Sequence, residues 1–189
     1  IVICALLWLL ALRLDGTYWL ASKEIISRLD QIKPWITLAI IIVVIEIALG
    51  GWTSVKFAAF ACPDFPSCQN AWWPEMNLQE GFNLVQPLGI EALESKARVA
   101  VNVVHRLGAL ITTVYLLSLS AFLLAVLDYR VQRMGYVLAA VLFGQVIFVI
   151  GAGYVRDSAV STIMHHLGSM LILLILISLA SRVAHAKQK

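Results

Sequence analysis

The chain has 189 residues, of which 61% are hydrophobic and 13% charged, and its mean hydropathy is +0.88. A soluble domain of this length carries about 25% charged residues, and here the charges are gathered in short clusters between long apolar runs. That excludes an ordinary soluble domain and points to one all-α integral membrane domain, whose partner is the lipid bilayer and not a nucleic acid.

Residues 1–13 stay apolar for about a dozen positions, where a full span needs roughly 20. They have neither the basic start nor the small-residue cleavage site of a signal peptide. They read as the end of a truncated transmembrane helix, in a chain that is a fragment of something longer. Residues 14–33, with Lys23, Arg28 and Lys33, read as a cytoplasmic linker.

A four-helix transmembrane bundle is expected over 34–189. Its first span, 35–51, follows Pro34, which suits a first helical turn, and is apolar apart from Glu46. The second, 99–127, opens with Asn102, His105 and Arg106. The third, 134–154, contains Gln145, and the fourth, 161–183, opens with His165 and His166. Only helices or closed barrels satisfy their backbone in lipid, and these runs lack the alternation of barrel strands.

The loops set an orientation. Arg13, Lys23, Arg28, Lys33, Arg130, Arg133, Arg182, Lys187 and Lys189 fall on one side, and Lys56, Lys96, Arg98, Arg106 and Arg156 on the other. The larger group belongs in the cytoplasm. The C-terminus is then cytoplasmic, in an inner membrane, and 52–97 becomes one long outer loop, of the kind that usually carries function. In it, Cys62 and Cys68 lie six positions apart. On an oxidising side such a pair suits a disulfide, and a metal or redox thiol pair stands as the alternative.

Two helix entries echo each other: His105-Arg106-Leu107-Gly108-Ala109 and His165-His166-Leu167-Gly168-Ser169. Each follows a span that ends in glycines, at Gly50-Gly51 and at Gly151 and Gly153. Two related hairpins can pack about a rough two-fold axis. Placed about six and four residues into their helices, His105 and His165 lie roughly 6–9 Å below the helix starts and can meet across the bundle.

Ionisable residues inside a span are functional candidates because their burial is costly. Two neutral imidazoles suit the two axial positions of a haem iron. Zinc asks for three or four protein ligands. Gly108 and Gly168, three residues after their histidines, would leave room for a flat ring; the competing reading gives them to helix packing. Arg106 and Arg156, with Arg98 and Lys96, are positioned to pair with haem propionates or to snorkel at the interface. His166 points about 100° away from His165. Glu46 reads either as a proton-handling carboxylate or as a protonated acid bonded to a polar neighbour.

The segments LGGWTS (49–54), ACPDFPSCQNAWWPEM (61–76), HRLGA (105–109) and HHLGS (165–169) together resemble the haem A synthases. These membrane enzymes complete haem A for terminal oxidases. The resemblance covers nearly the whole chain but only the second half of such a protein, which has eight spans in two repeated four-helix halves.

That resemblance implies that His105 and His165 ligate a haem b, and that Cys62 and Cys68 form a disulfide. It also implies that an absent N-terminal four-helix half, with its own histidine pair, holds the substrate haem O. In that half a glutamate stands three positions before one histidine, where this chain has Asn102. Glu46 stands where the family has Gln, and Lys56-Phe57 where Asn-Tyr is commoner. The implied reaction oxidises a methyl group of haem O to a formyl by successive hydroxylations, with oxygen from water. This half would transfer the electrons and would not be catalytically competent alone. Haem O synthase and a second copy of the chain are further implied partners. The other functions open to such a sequence are an electron-carrying b-type membrane cytochrome and a haem-handling assembly protein.

Overall fold

The computed structural model describes residues 1–16, 18–84, 94–155 and 158–188. Its elements in chain order are α1 (Val2–Asp15), β1 (Leu20–Ala21), α2 (Lys23–Val55), α3 (Leu78–Gly81), α4 (Ser95–Leu124), α5 (Tyr129–Val155), α6 (Ser158–Ala184) and β2 (Lys187–Gln188). α2, α4, α5 and α6 each carry a stretch long and apolar enough to cross a membrane. Large apolar side chains such as Ile111, Val114, Phe143, Ile147 and Ile163 are more than half exposed. In water such faces would promote association; in a bilayer they are the lipid contact. The chain is an all-α, multi-pass membrane protein.

The helices outrun the expected spans at most ends. α2 starts at Lys23, so the last eleven residues of the expected linker 14–33 are helical. Pro34 therefore lies well inside α2 and not in its first turn. It removes one backbone donor, a loss that membrane helices tolerate. α4 begins at Ser95 in place of 99 and ends at Leu124 in place of 127, while α5 and α6 start at Tyr129 and Ser158 in place of 134 and 161. Hydropathy marks where lipid begins, whereas the backbone ladder continues into the polar headgroup zone. In the first turns of α2, Arg28 pairs with Glu24 at 3.6 Å and Lys33 with Asp30 at 2.7 Å, as charged neighbours one turn apart do on a solvated helix.

The chain forms two compact units, Ile1–Val44 with Thr113–Lys189, and Ile45–Thr112. In the first, α6 packs against both α1 and α5. Its fully buried side chains include Leu29, Ile32, Ile36, Leu116, Leu123, Leu138, Leu176 and Leu179. Trp8 Nε1 donates to Ser178 Oγ at 2.8 Å, and Tyr115 Oη donates to Trp35 O at 2.9 Å. At one end of this unit β1 and β2 pair in parallel. Arg130 donates to Leu20 O at 2.7 Å and pairs with Asp128 at 3.0 Å, which ties the segment after α1 to the turn between α4 and α5.

In the second unit the end of α2 runs antiparallel to the start of α4. Glu46 lies at Gly108, Gly50 at His105, and the carbonyls of Ala58 and Ala59 accept from Asn102 Nδ2 at 2.8 and 3.1 Å. Cys62 and Cys68 are disulfide-bonded and buried with Val99 and Val103. The loop's second half is held by α3, capped by Asn77, and by Trp52 Nε1, which donates to Gly81 O at 2.9 Å. Gly81 is required by closeness: a Cβ there would stand 2.8 Å from Ala97 O.

Candidate functional site

His105 stands ten residues after the first residue of α4, and His165 seven after the first of α6. At 1.5 Å per residue these are about 15 and 10 Å along the helix. The expected depths of 6–9 Å are too shallow, because the polar turns before each apolar run are helical as well.

Each histidine is braced by a polar side chain from the preceding transmembrane helix. In the second unit His105 Nδ1 lies 2.8 Å from Glu46 Oε1, with the two side chains 19% and 15% exposed. Both Glu46 oxygens are buried. A Cβ on Gly108 would run into the Glu46 carboxyl, and one on Gly50 would lie 3.3 Å from His105 Cε1. Two missing side chains thus give the carboxyl and the ring their room.

The first unit repeats the arrangement with an amide. Gln145 Nε2 lies 2.7 Å from His165 Nδ1, 2.9 Å from His165 O and 3.3 Å from Ser169 Oγ. Ser169 Oγ in turn donates to His165 O at 2.9 Å. A Cβ on Gly168 would run into the Gln145 carboxamide. Gly108 and Gly168, read from the sequence as space beside a flat ligand, therefore admit the bracing side chain of the neighbouring helix.

Histidine is a haem-iron ligand, and each of these rings is of the kind that could hold one. Metal-ligating histidines almost always have their second ring nitrogen held by an outer group, which fixes the ring's orientation. Glu46 stands at Nδ1 of His105, and the amide nitrogen of Gln145 stands at Nδ1 of His165.

The other expected site residues lie elsewhere or do other work. Arg106 gives Nη1 to the carbonyls of Asp64 and Ser67 and Nη2 to that of Cys62, all at 2.9 Å. Its guanidinium is engaged by the loop that carries the disulfide. Arg156 lies outside the described residues. Lys96 pairs with Glu75 at 2.6 Å, and the pairing holds the Glu75 carboxyl below the usual range. His166 is tilted 52° from His165, with centroids 6.1 Å apart. The cysteine alternatives resolve to the disulfide. Inside its loop Asp64 accepts from Ser67 Oγ at 2.6 Å, Asn70 N at 2.8 Å and Gln69 N at 2.9 Å, and these bonds hold its carboxyl below the ordinary range.

Sequence reading found both histidines but missed Gln145 as a partner, Gly50 as a spacer and Arg106 as the loop's anchor. Glu46 stands four residues before Gly50 and Gln145 six before Gly151, so matching the echo position by position hides their equivalence. The signal within reach was simpler: one uncharacteristic polar side chain inside each span that precedes a histidine span.

Residues 1–177 match the model of a family described as cytochrome oxidase assembly protein. The heme A synthase of Shewanella oneidensis is 28% identical over 179 residues, covering 93% of this chain and 53% of that protein. The chain thus spans about half the length of the curated relative it matches. No solved structure matches it.

Proposed function

The chain belongs to the cytochrome oxidase assembly protein family, and from that membership we propose that it is the haem b-binding half of a haem A synthase. The whole enzyme oxidises a methyl group of haem O to the formyl group of haem A, and this half carries away the electrons released. The observation behind the reading is the repeated unit of histidine, bare glycine and bracing side chain, at His105 with Glu46 and at His165 with Gln145. One repeat alone would serve as a packing device. Two repeats, in a family of this kind, make a pair of axial ligands.

In this reading His105 and His165 would hold the haem. When bound, haem b would supply a one-electron carrier. Glu46 and Gln145 keep the rings oriented, Gly50 leaves room for the His105 ring, and Gly108 and Gly168 admit the two bracing side chains. Arg106 and Asn102 hold the disulfide loop to the start of α4, and the propionates would be met by the basic residues Arg106 and Arg156. The N-terminal four-helix half holds the haem O, and haem O synthase and a second copy of the chain are further partners. The loop 52–97 faces the outside of the cytoplasmic membrane, and the C-terminus faces the cytoplasm.

A reduced-minus-oxidised spectrum of the purified chain tests the ligation. A low-spin b-type spectrum is expected, and His105→Ala or His165→Ala each removes it; retention in both variants overturns the reading. Pigment extraction from cells expressing the full-length protein tests the enzyme. Haem A is expected to accumulate, whereas unconverted haem O with an intact b-type spectrum would favour a cytochrome that only carries electrons.

A further inference from the structure

Within the first unit, α2 and α4 differ in where their apolar stretch ends. Tyr115 Oη donates to Trp35 O at 2.9 Å, which sets the two helices side by side. From Trp35 back to its start, α2 carries Lys33, Asp30, Arg28, Glu24 and Lys23, whereas the chain from Tyr115 to Leu127 has no charged residue. About ten residues of polar helix thus stand beside apolar chain, roughly 15 Å at 1.5 Å per residue. A headgroup layer is about 5–8 Å thick on each side of the hydrocarbon. Part of the polar face of α2 therefore lies at the depth of lipid phosphates and the upper acyl chains.

A cavity of about 720 Å³ opens at this step. One wall is a single face of α2, with Lys23, Glu24, Ser27, Arg28 and Gln31; the other is Phe122, Ala125 and Val126 at the end of α4. The opposite face of α2 is packed through Leu29, Ile32 and Ile36, so the polar wall is fixed in place, while Phe122 is half exposed. Arg28 reaches Glu24 at 3.6 Å with both side chains exposed, well beyond the roughly 2.7–2.9 Å of a strong charge-assisted bond. Among the described residues Lys23 has no acidic partner.

We propose that this cavity binds an anionic phospholipid, with the headgroup phosphate on Arg28 and Lys23, the headgroup hydroxyls on Ser27 and Gln31, and the top of an acyl chain on Phe122 and Val126. The volume is that of a small-molecule site. A cationic wall facing a hydrocarbon wall suits an amphiphile better than a soluble anion or a wholly apolar molecule. Arg and Lys are the side chains that hold phosphate. Two cations against one carboxylate favour a lipid of net negative charge over a zwitterionic one, which brings its own ammonium. In the orientation proposed above, the leaflet concerned is the cytoplasmic one, whose anionic lipids attract basic segments. The site stands independently of the haem reading.

The test uses the full chain in detergent, titrated with phosphatidylglycerol and read by native mass spectrometry. Phosphatidylglycerol is expected to bind more tightly than phosphatidylethanolamine, and the Lys23→Gln, Arg28→Gln double variant to lose about tenfold in affinity. Ala125→Trp, which fills the cavity and keeps its charges, is expected to lose the lipid as well. Arg133→Gln removes an exposed cation of α5 outside the cavity and is expected to retain it. Helical content is expected to match the parent throughout; should Ala125→Trp fail to fold, the double variant and Arg133→Gln decide alone. Equal binding of the two lipids, unchanged affinity in either cavity variant, or an equal loss in Arg133→Gln overturns the proposal. Displacement of the lipid by glycerol phosphate shows a site for soluble anions and overturns it too.

Discussion

Arg106 and His105 are neighbours in α4 with divergent tasks. His105 turns to Glu46 within its helix pair, while Arg106 ties down the turn that carries the disulfide by donating to three carbonyls. Hydrogen bonds from a charged donor contribute about 1.5–3 kcal/mol each and are not additive. Arg106→Leu is expected to cost about 3 kcal/mol in total, read as a lower unfolding temperature and faster cleavage of the 56–84 segment, with the histidines untouched. Gly108→Ala acts on the other face. Its new methyl displaces the Glu46 carboxyl, and haem retention is expected to fall about tenfold at unchanged helical content. Retention equal to the parent would show that the brace tolerates a methyl.

At the scale of elements, the outer loop is held by several unrelated devices: the Cys62–Cys68 disulfide, the Asp64 hydrogen bonds, Arg106, the Asn102 bonds to Ala58 and Ala59, and the Trp52 bond to Gly81. A cross-link closing a ring this short stabilises by about 2–3 kcal/mol in the chain-entropy model. Replacing both cysteines by serine is expected to loosen the loop by that amount and to leave α5 and α6 unaffected, measured by amide exchange. Asp64 gives the loop a pH dependence. Its carboxyl titrates lower folded than unfolded because Ser67, Asn70 and Gln69 donate to its ionised form. The stabilisation is thus complete above the ordinary carboxylate range and disappears as pH falls through the depressed value. Asp64→Ala is expected to abolish that acid sensitivity in a proteolysis assay run from neutral to acidic pH.

For the whole molecule the relevant scale is the bilayer. The proposed orientation puts the disulfide loop outside the cell and, from the excess of Lys and Arg, the C-terminus in the cytoplasm. With the exposed Cys4 replaced by serine, Asn70→Cys is expected to react with an impermeant maleimide in intact cells. Gln188→Cys is expected to react only after permeabilisation. The reverse pattern would invert the proposed orientation.

The long apolar runs by themselves determined the all-α membrane class and the four spans, because lipid admits only helices or closed barrels and the runs lack the alternation of barrel strands. They also exposed the two histidines, since an imidazole in such a run has no inconspicuous reason to be there. The helix ends were not legible, because hydropathy reports the lipid boundary while the backbone ladder of α2 and α4 continues past it. Nor was the work of Gln145, Gly50 and Arg106, whose partners lie between 20 and 55 residues away in sequence. Only tertiary packing decided that Gly108 and Gly168 admit a carboxyl and a carboxamide. A glycine records that space is needed, but the occupant of that space comes from another helix.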